Sequence, residues 1–121
     1  MRPHENLEVW KQAIEFVLSI YKKTKGFPQD ERFGLTSQIR RASVSIPANI
    51  AEGAARQSDK EFLQFLAIAQ GSCSEVETEL LIGSKLGFLP QLEYTELKAA
   101  ADSIGRMLVG LSKHLRAKHP K

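Results

Sequence analysis

A single cysteine, Cys73, is all the thiol chemistry the chain has, which excludes an intramolecular disulfide and a cysteine-built zinc cluster. Cys73 falls at an apolar helical position and reads as a small buried hydrophobe, not a reactive thiol. No window approaches the ~18 consecutive apolar residues of a membrane span. The N-terminal MRPHENLEVW also lacks the apolar run of a secretory signal. The expectation is a cytoplasmic protein with no membrane partner. There is no low-complexity tract, and 121 residues suffice for one domain, 1–121, whose core needs no covalent staple.

The catalytic signatures are missing as well. A dinuclear metal centre in a helical bundle takes inward glutamates and a Glu-x-x-His pair from each of two helices, and Glu-x-x-His does not occur. His4, His114 and His119 lie near the chain ends, where surface or helix-terminus roles are ordinary. The glycine-rich phosphate and dinucleotide loops and the G-x-S-x-G elbow are absent too. Glu75, Glu77 and Glu79 project in different directions on one helix and read as a solvated acidic face. No metal, no cofactor and no enzymatic activity are therefore expected.

What the chain does have is helical periodicity from end to end, without any useful period-two alternation. Four helices are predicted over about 6–25, 30–54, 58–86 and 91–117. Asn6 and Asp30 are the expected caps of the first two. Ser58-Asp59-Lys60-Glu61 has the form of a capping box and opens the third. Phe62, Leu66, Ala69, Cys73, Val76 and Leu80 keep a heptad rhythm in the third, and Leu97, Ala101, Ile104, Leu108, Leu111 and Leu115 repeat it in the fourth. Short connections then predict an all-α, antiparallel up-down-up-down four-helix bundle. Pro47 falls inside the second helix, where a kink or break is expected.

The apolar arc of the first helix is too wide for one packing partner. Leu7, Ile14, Leu18 and Tyr21 form one stripe, and Trp10, Ala13, Val17 and Ile20 form a second, with Val9 and Phe16 further round. A second partner is expected, a neighbouring subunit or a bound protein, the alternative being burial of the whole arc within one thick bundle; Val9, Trp10, Ala13, Phe16, Val17 and Ile20 are the candidate interface of a homo-oligomer.

Gly34 to Arg56, GLTSQIRRASVSIPANIAEGAAR, interleaves an apolar stripe of Leu35, Ile39, Ala42, Ile46 and Ile50 with a polar one. The polar stripe, Gln38, Arg41, Ser45, Asn49, Glu52 and Arg56, borders the buried face instead of opposing it. Gln38, Arg41, Ser45, Asn49 and Glu52 are read as a structural network in which half-buried donors find partners on the same and a neighbouring helix. Charge is uneven: residues 1–58 carry +3, 59–97 carry −5 and 98–121 carry +5, for a net +3. Arg40, read as outward-facing, with Arg56, Lys60, Lys113, Arg116 and Lys118, are the candidate phosphate contacts to RNA or DNA. With no aromatic platform among them, such contact would not read sequence. A protein-binding scaffold that never touches nucleic acid is the competing reading.

NLEVWKQAIEF, QIRRASVSIPANIAEG, EFLQFLAIAQGSCSEVETEL and LGFLP together resemble the bacterial four-helix-bundle family first described from intervening sequences inside 23S ribosomal RNA genes. That family also includes the accessory protein of diversity-generating retroelements. The likeness spans about residues 5 to 115 and is most specific from Gln38 to Gly53. It implies a helical bundle assembling as a homopentamer and, in the retroelement branch, binding of nucleic acid and of a reverse transcriptase. It assigns no agreed role to Arg40, Arg41, Asn49, Glu52, Gly53 or Arg56.

Overall fold

The computed structural model describes residues 2–119. Four α-helices make up the body: α1 (Glu8–Lys23), α2 (Leu35–Ala54), α3 (Asp59–Lys85) and α4 (Gln91–Ala117). Short 3-10 turns occupy Pro3–Asn6, Thr24–Gly26 and Gln29–Glu31, and no strand occurs among the described residues. Each helix packs on two others: α1 on α2 and α4, α3 on α2 and α4, with the α2–α3 seam the most extensive. Neighbours meet end to start: Lys23 at the end of α1 pairs with Glu96 near the start of α4 (2.8 Å), and Asp59 at the start of α3 takes Lys118 beyond the end of α4 (3.5 Å).

The core follows the apolar stripes. Ile39, Ile46 and Ile50 of α2 meet Leu66, Val76 and Leu80 of α3 and Leu97, Ile104 and Leu108 of α4, all essentially removed from water. Burial of this kind, at about 25 cal/mol per Å² of apolar surface, supplies most of what holds helices of marginal intrinsic stability together. Cys73 is buried among them.

Local chemistry sets the helix ends. Ser58 Oγ accepts from the Glu61 backbone N–H (3.2 Å) and so caps α3, while the Glu61 carboxylate meets the Ser58 hydroxyl (3.1 Å) and not the backbone N–H of a full capping box. At the far end of α3, Gly87 at φ 83° lets the chain turn back. Phe88 N–H then donates to Gly83 O (2.9 Å) and Gly87 N–H to Ser84 O (3.1 Å), which satisfies two terminal carbonyls.

The two expected caps upstream are corrected. Asn6 belongs to the 3-10 turn begun by Pro3, and α1 starts at Glu8 without a side-chain cap. Asp30 likewise sits in a 3-10 turn. Gly34, at non-helical dihedrals, delays α2 to Leu35, whose N–H donates to the Glu31 carboxylate (3.1 Å). α2 also runs unbroken through Pro47, which is buried. Burial of the ring offsets the one backbone hydrogen bond it removes.

At the end of α2 the two longest-contacting helices come very close. A Cβ on Gly53 would lie 2.8 Å from Phe65 Cβ and 2.9 Å from Phe62 Cδ1, so only glycine fits. Gly105 of α4, by contrast, has nothing within 4 Å of where its Cβ would stand.

Candidate nucleic-acid interface and the polar seam

α2 presents its polar stripe along α3. Ser45 Oγ and Ser72 Oγ share a hydrogen bond across the seam (2.9 Å), and Asn49 Nδ2 donates to both Ser45 O (2.8 Å) and Ser45 Oγ (2.9 Å). These groups are half-buried or buried, so each satisfied donor avoids a desolvation cost of roughly 1–3 kcal/mol. Lower on the helix Glu52 pairs with Arg56 (3.5 Å), which also reaches Glu61 of α3 (3.9 Å) and lies over the Phe65 ring at 4.8 Å. The network ends there. Gln38 and Arg41 are exposed, and neither makes a side-chain hydrogen bond or ion pair among the described residues.

Arg40 and Arg41 exchange the roles expected of them. Arg40 is half-buried, and its guanidinium lies across the end of α1: Nε donates to Thr24 Oγ1 (2.9 Å), Nη2 to Tyr21 O (3.3 Å), and the group covers the Tyr21 ring at 4.7 Å. Buried Thr24 in turn donates to Ile20 O (2.7 Å). Arg40 is thus a cation closing the negative end of a helix dipole and satisfying terminal carbonyls. It is not available to an outside phosphate. The outward arginine of the pair is Arg41.

The face assigned to α1 is corrected in the same way. Val9, Ala13, Phe16 and Ile20 are buried inside the bundle, and Trp10 and Val17 are half-buried beside them, Trp10 with the His4 ring 4.9 Å away. That face is the intramolecular one. The stripe left on the surface is the other: Leu18 is 59% exposed and Tyr21 41%, with Val44 of α2 at 41%.

The remaining basic candidates converge. Arg56 and Lys60 stand at the start of α3, and Arg116 and Lys118 at the end of α4, beside the same end of the bundle, with exposed Lys113 on the last turns of α4. Acids stand among them: Glu52 and Glu61 beside Arg56, and Asp59 beside Lys118. Asp59 is held by His119 Nε2 (2.8 Å) and Lys118 (3.5 Å), and the His119 hydrogen bond keeps its carboxyl below its ordinary range. Lys60 and Arg116 make no ion pair among the described residues. Positions 56–60 and 113–118 are far apart in the chain, and only the pairing of α3 with α4 brings them together.

Nucleophilic and acid–base chemistry finds little to build on. Burial, with the Glu77 charge second, pushes the Cys73 thiol up to about 12, so it is not a thiolate at neutral pH. Glu79, expected in a solvated face, is instead 6% exposed, and its Oε1 has no partner among the described residues. Burial, then the neighbouring Glu75, raises its carboxyl to about 7. Burial also raises Glu77, with Asp102 adding to the effect, while Lys98 holds Asp102 low through a hydrogen bond (3.2 Å). Among the described residues no three His, Cys, Asp or Glu side chains are grouped to hold a metal ion, and no helix is long and apolar enough to cross a membrane.

Comparison with known proteins follows the architecture. The model of the family described as 23S rRNA-intervening sequence protein matches residues 5–110. Among solved structures, the chain is similar to a protein of unknown function from the S23 ribosomal protein family of Bacteroides thetaiotaomicron. The two share 26% identity over 87% of this chain and 98% of that one, with a TM-score of 0.81. No curated protein matches.

Proposed function

Because the chain belongs to the 23S rRNA-intervening sequence protein family, we propose that it is a non-enzymatic helical-bundle adaptor of the cytoplasm whose basic end binds nucleic acid weakly and without reading sequence. The observation that carries this reading is the gathering of Arg56, Lys60, Lys113, Arg116 and Lys118 from two distant stretches at one end of the bundle. Lys60 and Arg116 there have no acidic partner among the described residues. Such cations displace counterions from a phosphate backbone. Phe65, beside them, is already covered by the Arg56 guanidinium and offers no free stacking platform.

A salt series on a single-stranded RNA and a DNA of the same sequence tests it. Affinity should fall linearly with ionic strength on logarithmic axes, and Lys113→Ala should lower the slope by about one if Lys113 contacts a phosphate. Absence of binding at low salt would sink the proposal.

Assembly belongs to the same reading. The homopentamer implied by the family resemblance needs an apolar face, and exposed Leu18, Tyr21 and Val44 supply one where α1 meets α2. Light scattering should give a multiple of the 13.5 kDa chain mass; a monomer at micromolar concentration rejects it. The same exposed residues favour the second reading, a scaffold that holds another protein and no nucleic acid. A pull-down returning one protein despite nuclease treatment, from a chain that ignores RNA and DNA, would select it.

A further inference from the structure

Between the first turn of α3 and the last turn of α4 lies a half-open cleft of about 710 Å³. That falls within the roughly 300–1,000 Å³ of small-molecule sites. Its floor is aliphatic: Leu63, packed against the core, and Leu115, almost wholly buried. Its rim is charged. Asp59, the acid on that rim, is already engaged by His119 and Lys118. Lys60 and Arg116, on opposite helices, are left without an ion pair among the described residues.

An apolar floor under two uncompensated cations defines its complement: a chain of methylene groups ending in one anion. A nucleic-acid strand would meet the rim and leave the floor wet, because its sugars and phosphates stay hydrated. We propose that this cleft binds a small aliphatic carboxylate, a medium-chain fatty acid, with its chain on Leu63 and Leu115 and its carboxylate between Lys60 and Arg116. Arg116 can take such a head with two parallel N–H donors, while Lys60 adds a point charge. The cleft is distinct in chemistry from the phosphate-binding reading, and it stands whether or not nucleic acid binds.

Titration of the isotope-labelled full chain with octanoate, followed by amide chemical shifts, tests the site against octanol, which has the same chain and no charge. Octanoate should give saturable shifts confined to residues 58–63 and 112–119, with affinity about tenfold above octanol, the effect of one charge-assisted interaction. Lys60→Met and Arg116→Met keep the apolar stems and should each bring octanoate toward octanol. Leu63→Gln should weaken both ligands, with a thermal melt checking that this core-edge variant is folded. Equal affinity for octanoate and octanol, shifts spread over the bundle, or no saturable shift at millimolar octanoate would each overturn the proposal. RNA binding with no octanoate effect would leave the adaptor reading intact while rejecting the cleft, and the converse result would separate them the other way.

Discussion

Replacing Glu79 with glutamine should make the protein more stable at neutral and alkaline pH and leave it unchanged in acid. Glu79 is buried on α3 with one carboxylate oxygen unpartnered among the described residues and Glu75 one turn away. In the unfolded chain its carboxyl titrates near 4.5, and in the fold near 7. The folded value is raised, so the native state binds the proton more tightly than the unfolded one. The stability this contributes is fully present below about pH 4.5 and is lost as pH rises to about 7. At 1.36 kcal/mol per pKa unit the loss amounts to about 3 kcal/mol. Glutamine mimics the protonated acid at every pH and removes the loss. Urea unfolding at fixed protein concentration, in buffers from about pH 4 to about pH 8, should show wild type and Glu79→Gln converging at the acid end. At the alkaline end they should separate by about 2–3 kcal/mol, or about 10 °C in melting temperature for a domain of this size. Parallel curves at all pH values would refute the reasoning, because they would mean that Glu79 ionises as freely in the fold as in the unfolded chain.

Arg40→Ala should cost about 1–2 kcal/mol, the loss of charge-assisted hydrogen bonds that close α1, while leaving RNA affinity and its salt slope unaltered; urea melts and a binding titration read the two effects separately. Gly53→Ala places a methyl 2.8 Å from Phe65 Cβ and should destabilise by about 1–3 kcal/mol in thermal unfolding, the usual cost of overpacking. Cys73 should react with a thiol reagent at pH 8 only as fast as the bundle opens, so labelling in native buffer should lag far behind labelling in denaturant.

The number and type of elements were legible because each apolar stripe repeats for about four turns or more, and a long stripe averages out its exceptions. The Ser58 cap was legible because its partner, Glu61, lies within one turn. Partners contributed by another helix were not. Arg40 and Arg41 are adjacent and chemically identical, and only the place where α2 crosses the end of α1 decides which is spent on Tyr21 O and Thr24. The first helix failed for a related reason. With apolar residues over most of its circumference, a wheel could not say which side meets α2 and α4. Glu79 was misplaced because a charged residue at that spacing is normally solvated, whereas in the fold it is 6% exposed. Ser72 was missed altogether as Ser45's partner, although serine at a core-facing position of α3 is the kind of signal that would have found it.

Heptad stripes have an ambiguity that the α2–α3 seam resolves. Leucine, alanine and valine every seven residues look nearly the same if one helix slides past the other by a heptad, about 10 Å. Hydrophobic burial alone would scarcely distinguish the two alignments. The notch at Gly53 admits Phe62 and Phe65 at one offset only, and Ser45 meets Ser72 at that same offset. Slid by a heptad, the aromatic rings would lose the notch at Gly53, and Ser45 and Ser72 would lose each other. Notch and hydrogen bond therefore act like the two scales of a vernier, and they select a single alignment from a family that greasy contacts would leave nearly degenerate.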